Sequence, residues 1–232
     1  FEFAGIPIAY VPYFSSADPS VKRQTGFLTP RYSLRSELGF GLSLPFFWNL
    51  VPDYDLTLTP TVYSRQGFLG EAEWRQKIWN GSYNVHVAGI FQNDPDAYNP
   101  APYGPGGRIF RGSLQSNAKF YLSTQWYFGW NVLLQTDRWF QSRLPGQDTA
   151  AWYFKNPASS VFLRGQGDSG FFDLRGYYFQ PQTRFDLTQR QPFVAPVLNY
   201  NKVIDLSKRE NGGLSGELEI NANMMHLYRN LA

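Results

Sequence analysis

Cysteine is absent from the 232-residue chain. That removes disulfide frameworks and thiolate metal sites but does not identify a compartment. Histidine is nearly absent: His86 and His226 stand far apart, and no HExxH, GxSxG or phosphate-loop signature accompanies them. Metal-centred and hydrolytic chemistry therefore have no residue set to rest on, and we expect no catalytic residue, no metal and no cofactor. An excess of one charge is missing too, since 21 Lys and Arg against 18 Asp and Glu leave +3, spread along the chain. Nucleic acid is not an expected partner. No run of about 18 apolar residues occurs, which excludes a transmembrane helix. A chain like this crosses a membrane with strands or not at all.

Aromatic residues are abundant: 20 Phe, 15 Tyr and 7 Trp make up 18% of the chain. Mean hydropathy is nevertheless −0.38. A barrel wall in lipid needs one apolar and one polar face, and averages to such a mildly hydrophilic sequence. The alternation is explicit. Tyr54, Leu56, Leu58 and Val62 alternate with Asp55, Thr57, Thr59 and Thr61, a period of two that makes a strand with one apolar face. Leu38, Phe40, Leu42, Leu44 and Phe46 oppose Gly39, Gly41 and Ser43 in the same way, with a turn at Pro52-Asp53 between the two runs. Phe68, Ala72, Trp74 and Ile78 oppose Glu71, Glu73, Arg75 and Lys77. That second face is too charged for a dry core, and we read Glu71, Glu73, Arg75 and Lys77 as a polar lumen lining. Glu217 and Glu219, opposite Leu218 and Ile220, are read the same way. The Glu71/Glu73 and Glu217/Glu219 pairs are spaced for such a face rather than for paired-carboxylate catalysis.

Pattern matching gives about 11 strands, from residues 26–36 to 214–224. Short links such as Asn80-Gly81 and Ser123-Thr124 take turns with long ones at 93–107, 136–160 and 181–192. Short turns at one end and long loops at the other are the habit of outer-membrane barrels. Aromatic clusters at 46–48, 126–128 and 177–179 suit the headgroup level of a bilayer. Asp94-Pro95-Asp96 lacks the further ligands of a calcium loop and reads as turn chemistry. Gly104-Pro105-Gly106-Gly107 has no strand-to-helix context for a phosphate cradle. Asn80-Gly81-Ser82 reads as a tight turn rather than a glycosylation acceptor.

Three prolines interrupt the first three strand-like runs: Pro30, Pro45 and Pro60. Each lacks an N–H, so each removes one possible ladder bond and loosens pairing locally; bulges or edge positions account for them equally at this stage. Residues 1–20 differ from the rest, with Pro7, Pro12 and Pro19 punctuating a short alternation before Ser15-Ser16-Ala17-Asp18. We read 1–20 as the end of another β-domain with a linker, and 21–232 as barrel. The opening Phe1-Glu2-Phe3-Ala4-Gly5 has no Met, basic stretch or apolar stretch, so an internal segment of a longer chain is expected.

Two other readings share the alternation. A soluble β-sandwich would hide the apolar faces between two sheets, and a passive porin-type channel would form an ungated ring. The residues themselves favour one family. Tyr10-Val11-Pro12-Tyr13-Phe14, Lys22 to Pro30, and Leu44-Pro45-Phe46-Phe47-Trp48-Asn49-Leu50-Val51-Pro52-Asp53-Tyr54-Asp55, continuing into Leu58-Thr59-Pro60, resemble the LptD family of lipopolysaccharide-assembly proteins, also called organic solvent tolerance proteins. The motifs lie within about residues 6–75 by order and spacing, and the remainder matches in strand pattern.

The resemblance implies an all-β fold, an antiparallel transmembrane β-barrel segment of about 11 strands preceded by the last strand of a periplasmic jellyroll. It implies residence in the cell outer membrane and no enzymatic step. The implied task is transport of lipopolysaccharide into the outer leaflet through a lateral gate, with Pro30 and Pro45 matching the prolines that weaken that gate. The implied partners are lipopolysaccharide, an LptE-type lipoprotein plug, a periplasmic LptA-type bridge reached through the jellyroll, and outer-membrane lipids.

Overall fold

A computed structural model describes residues 2–3, 6–7, 23–100, 104–144, 158–181, 190–206 and 216–229. Two short strands, β1 (Glu2–Phe3) and β2 (Ile6–Pro7), form a hairpin of their own. The rest of the expected domain at 1–20 lies outside the described residues.

Every other described strand belongs to one antiparallel sheet of 13 strands. Its members are β3 (Gly26–Phe27), β4 (Arg31–Arg35), β5 (Gly39–Ser43), β6 (Phe46–Val51), β7 (Tyr54–Tyr63), β8 (Gly67–Ile78), β9 (Gly81–Phe91), β10 (Phe110–Tyr121), β11 (Trp126–Gln135), β12 (Ala158–Gly167), β13 (Gly170–Phe179), β14 (Phe193–Asp205) and β15 (Glu217–Tyr228). From β7 onward each strand pairs with the next in sequence, an up-and-down meander. Strands of 10 to 13 residues from β7 to β15 suit a tilted bilayer crossing. The described sheet is open, with β3 and β4 at one edge and β15 at the other.

The expected 11 strands and the observed 13 differ at two places only. The run 26–36 is divided at Pro30 into β3 and β4, and the run 38–46 is cut at Pro45, where β5 stops and β6 continues past the expected end to Val51. Pro60 breaks nothing, because β7 continues through it. A second element is short: the helix α1, Phe140–Arg143, sits in the connection after β11.

Register fixes which residues share a face. Leu58↔Ala72↔Val87↔Leu114↔Leu134 crosses five strands on one side, and Thr57↔Glu73↔His86↔Gln115 crosses four on the other. The apolar face is open: Tyr32 is 83% exposed, Leu34 80% and Phe91 69%. A sandwich would bury these side chains, and among the described residues no second sheet covers them. Aromatic pairs gather on this face near the short turns, with Tyr54 stacked on Trp74 at 5.0 Å, Phe120 on Phe128 at 5.2 Å and Trp126 by Phe172 at 5.3 Å. Within the expected cluster at 126–128, Trp126 and Phe128 share this face and Tyr127 takes the polar one, pairing with Arg164.

The short turns need close backbone approach. A Cβ on Gly81 would lie 2.2 Å from the Lys119 carbonyl oxygen, so the Asn80-Gly81 turn is a steric requirement of the β9–β10 pair. Gly39, at φ +74, turns the chain from β4 to β5 where a side chain would meet Ser64.

Among the described residues, the apolar core is at the long-loop end. Leu38, Tyr63, Leu69, Ala88, Ile90, Tyr98, Phe140 and Leu144 form it, drawn from the ends of β7, β8 and β9 and from three connections. Leu38 is thus a correction to its expected place beside Phe40 and Leu42: it falls in the β4–β5 turn and is buried at 1%, while those two remain exposed.

Candidate functional site

The first sheet corner, β3 to β7, carries Pro30, Pro45 and Pro60 within one patch. Ser43↔Thr61 and Phe46↔Leu58 keep one register, so β5 and β6 lie along β7 as a single strand with its ladder interrupted at Leu44-Pro45. Leu44 N–H donates to the Pro60 carbonyl at 3.1 Å. The reciprocal bond of that pair would need an N–H on Pro60, which has none. On the other side of the same strand, Leu28 N–H donates to the Pro45 carbonyl at 2.8 Å, and its reciprocal is missing because residue 45 is proline. Two adjacent pairs have each lost one of two bonds.

Pro30 adds an irregularity rather than a third missing bond. Leu28 lies opposite Pro45 and Arg31 pairs with Ser43, so Thr29 and Pro30 together face Leu44, two residues against one. That is the geometry of a bulge, which bends the strand and interrupts pairing. Pro60 meets β8 at Gly70 in a pair that exchanges no bonds, so the β7–β8 ladder is intact. The same residue type is disruptive on one side of β7 and harmless on the other.

Both ends of this weakened corner are fastened. At the short-turn end, Asp55 is fully buried and receives Arg23 Nη2 at 2.6 Å and Arg75 Nε at 2.7 Å. Arg23 also donates to the Pro52 carbonyl at 3.0 Å, and Asn49 N–H donates to Thr25 Oγ1 at 3.0 Å. The segment entering β3 is thereby tied to the β6–β7 turn. At the long-loop end, the buried Gln66 amide donates to the Glu37 and Asp94 carbonyls at 2.8 and 2.7 Å. Arg65 reaches Asp94 at 2.7 Å and the Ser36 carbonyl at 3.0 Å. Asp94, expected as turn chemistry, pairs with this arginine.

Next to that end, Arg111 is fully buried and forks onto Asp137, Nε to Oδ2 at 2.9 Å and Nη2 to Oδ1 at 3.0 Å. Its guanidinium lies 4.9 Å from the Tyr98 ring centre and 5.9 Å from that of Phe140. Burial pushes the Tyr98 phenol above its ordinary value, and Arg111 pulls it partway back. Two long connections are pinned to the sheet through one arginine.

The charged residues expected together on β8 do share a face. Glu71 is buried and pairs with His86 at 3.4 Å; Glu73 lies opposite His86; Arg75 binds Asp55; Lys77 lies beside the short turn. Glu217 and Glu219 lie on the far edge strand, separated from β8 by β9 to β14, where Glu219 accepts from Asn201 at 2.8 Å. The sheet brings the first four together and leaves the last two apart. His226 is remote from His86, its Nδ1 3.1 Å from the Ala195 carbonyl. Among the described residues, no cluster of acidic or imidazole side chains could hold a metal ion.

The sequence assigns no tie to Arg23, Gln66, Arg111 or Asp137. Their partners lie 26 to 32 positions away, and no local spacing marks them.

Comparison with known proteins agrees with the resemblance and extends it along the chain. Curated relatives named LPS-assembly protein LptD include those of Shewanella oneidensis, 37% identical over 101 residues, Shewanella sp. (strain ANA-3), 44% over 101, and Actinobacillus pleuropneumoniae serotype 5b, 37% over 102. These matches cover 41 to 43% of this chain but 13% of each relative's own length. The family model described as LPS transport system D matches residues 110–230, beyond the motifs at 6–75. With more than half of its residues under that match, the chain belongs to the LptD family.

Proposed function

We propose that this chain forms part of an outer-membrane wall through which lipopolysaccharide is delivered to the outer leaflet, and that its first corner is one side of a lateral gate. The observation that carries the reading is the convergence of Pro30, Pro45 and Pro60 on one patch, where two neighbouring pairs are each reduced to a single bond.

In this reading the apolar face meets lipid and the polar face, with Glu71, Glu73, Arg75, Lys77, Glu217 and Glu219, lines the lumen. A lipid with a bulky sugar head crosses the hydrocarbon core at prohibitive cost, but it can leave sideways with its head in the lumen and its chains in the bilayer. Each missing bond lowers the cost of parting the corner by about 1 kcal/mol, so two of them raise the opened population roughly 30-fold. The Arg23–Asp55–Arg75 and Gln66–Asp94 ties keep the two ends of the corner in place while its middle yields. Nothing in this step consumes a nucleotide or breaks a bond of the cargo.

The proposal extends to the wider arrangement, for which family membership is the support: residues 1–20 would end a periplasmic jellyroll that meets an LptA-type bridge, residues 21–232 would begin the barrel, and an LptE-type lipoprotein would occupy the lumen. The test is the double substitution Pro30→Ala with Pro45→Ala in the full-length protein. Surface delivery of lipopolysaccharide is expected to slow several-fold with the protein still inserted. Delivery at the original rate overturns the gate assignment. A disulfide engineered between the first and last strands of the full-length barrel separates the porin reading, because a diffusion ring tolerates that closure and a gate does not.

A further inference from the structure

We infer that the polar face carries a binding site for a phosphorylated saccharide near its short-turn end, an inference that rests on the lipopolysaccharide reading above and names where the head group would be held. The site follows from register. Lys77↔Ser82↔Lys119 form one rung across β8, β9 and β10, and Arg75↔Asn84↔Asn117↔Asn131 form the next, running from β8 to β11. Side chains directly opposite one another across strands lie about 5 Å apart, so the two rungs make a patch of neighbouring polar groups. They line a recess of about 580 Å³ together with Arg23, Asp53, Asp55 and Phe162.

The chemistry of the two rungs is complementary. Four cations against two carboxylates leave the recess a net +2. Asp55 is spent on Arg23 and Arg75, and Lys77 has no carboxylate partner among the described residues. Lys119 is exposed, its ammonium 4.3 and 4.9 Å from the Tyr127 and Tyr121 ring centres, contacts that leave its charge unneutralised. The two lysines, on the strands either side of Ser82, supply point charges for a phosphate.

Three carboxamides in a row supply donors and acceptors at the spacing of a strand pair, which suits the vicinal hydroxyls of a sugar. Asn84 Oδ1 accepts from Asn117 N–H at 3.0 Å, which leaves its amide nitrogen to donate outward. Phe162 offers an apolar surface beside them. Higher on the same face the lining carries Glu71, Glu73 and His86 beside Arg31, so the two-lysine rung belongs to the end the cargo would reach first.

The experiment measures binding to the full-length protein in detergent by calorimetry. Three probes are used: the phosphorylated core oligosaccharide of deacylated lipopolysaccharide, the same oligosaccharide dephosphorylated, and inorganic phosphate. Lys77→Gln with Lys119→Gln should weaken the phosphorylated probe about tenfold and leave the dephosphorylated one unchanged, the loss expected for charge-assisted bonds. Asn117→Ala with Asn131→Ala should weaken both oligosaccharides. Equal affinity of the lysine variant and the original protein overturns the site, as does phosphate binding as tightly as the oligosaccharide.

A photo-crosslinking residue at the position of Ser82 should capture lipopolysaccharide in growing cells. Capture of only a free sugar phosphate overturns the lipid-linked source. The two readings fail differently. If lipopolysaccharide is not the cargo, neither oligosaccharide binds the unaltered protein; if only the site is misplaced, both bind and the lysine variant behaves as its parent.

Discussion

The corner from β3 to β7 and the middle from β8 to β11 are built from the same two-faced alternation, yet they differ in what holds them. In the middle, every strand runs unbroken for at least 10 residues and each pair keeps one register from end to end. In the corner, the first two strands are halved, bonds are missing at Pro45 and Pro60, and the ends are fastened by side chains instead. Alternation therefore decides which way a wall faces, and continuity of the backbone ladder decides how readily it parts. A later proline supports the distinction. Pro196 also lies at a register shift, but in β14 it stands alone, between full-length neighbours.

The comparison can be broken most severely next to the corner, at the arginine that pins the loops. Arg111→Ala leaves Asp137 buried without its partner, and a loss of about 3–5 kcal/mol is expected, read as the midpoint of urea unfolding from lipid vesicles. Because Arg111 is the second residue of β10, the damage should reach the middle strands as well as the loops. Ile90→Ala empties the fully buried core position at the end of β9 and should cost about 2–5 kcal/mol in the same measurement. Restoring a donor has the opposite sign. Pro45→Ala should slow amide exchange at Leu28 and stabilise the corner by about 1 kcal/mol, with no change in the β8–β9 amides. The smallest effect is expected at Arg65→Ala, since its pair with Asp94 is half exposed, and less than about 1 kcal/mol should be lost. A larger loss there than at Arg111 would mean that the corner, not the loop core, governs stability.

Much of this was readable in the chain. The faces of β7 and β8 follow from Tyr54–Val62 and from the Glu71–Lys77 run, because a period of two has only one way to place apolar and charged residues on a sheet. The alternation of short and long connections was readable at Asn80-Gly81, 93–107, Ser123-Thr124 and 136–160, but the link between β14 and β15, on the short-turn side, spans 206–216 and departs from it. Leu38 was misplaced because periodicity cannot tell a strand residue from a turn residue one step beyond its end. Asp55 looked like one more polar residue of β7; that it fastens Arg23 to Arg75 depends on where the entering segment runs.

The prolines mark the boundary between the two kinds of knowledge. From sequence, Pro30, Pro45 and Pro60 are three equivalent deletions of a donor. Only the register shows that Pro60 directs its deficit toward the broken strand and not toward β8, that Pro45 loses its bond to Leu28, and that Pro30 belongs to a bulge. Sequence determined a two-faced antiparallel wall with a donor-poor beginning, since side-chain periodicity and a missing N–H are local properties. Tertiary structure decided that the three deficits coincide, that their ends are tied by residues distant in the chain, and that lysines and asparagines from four strands share two rungs. Each of those depends on pairing between segments, and pairing is set by the whole sheet.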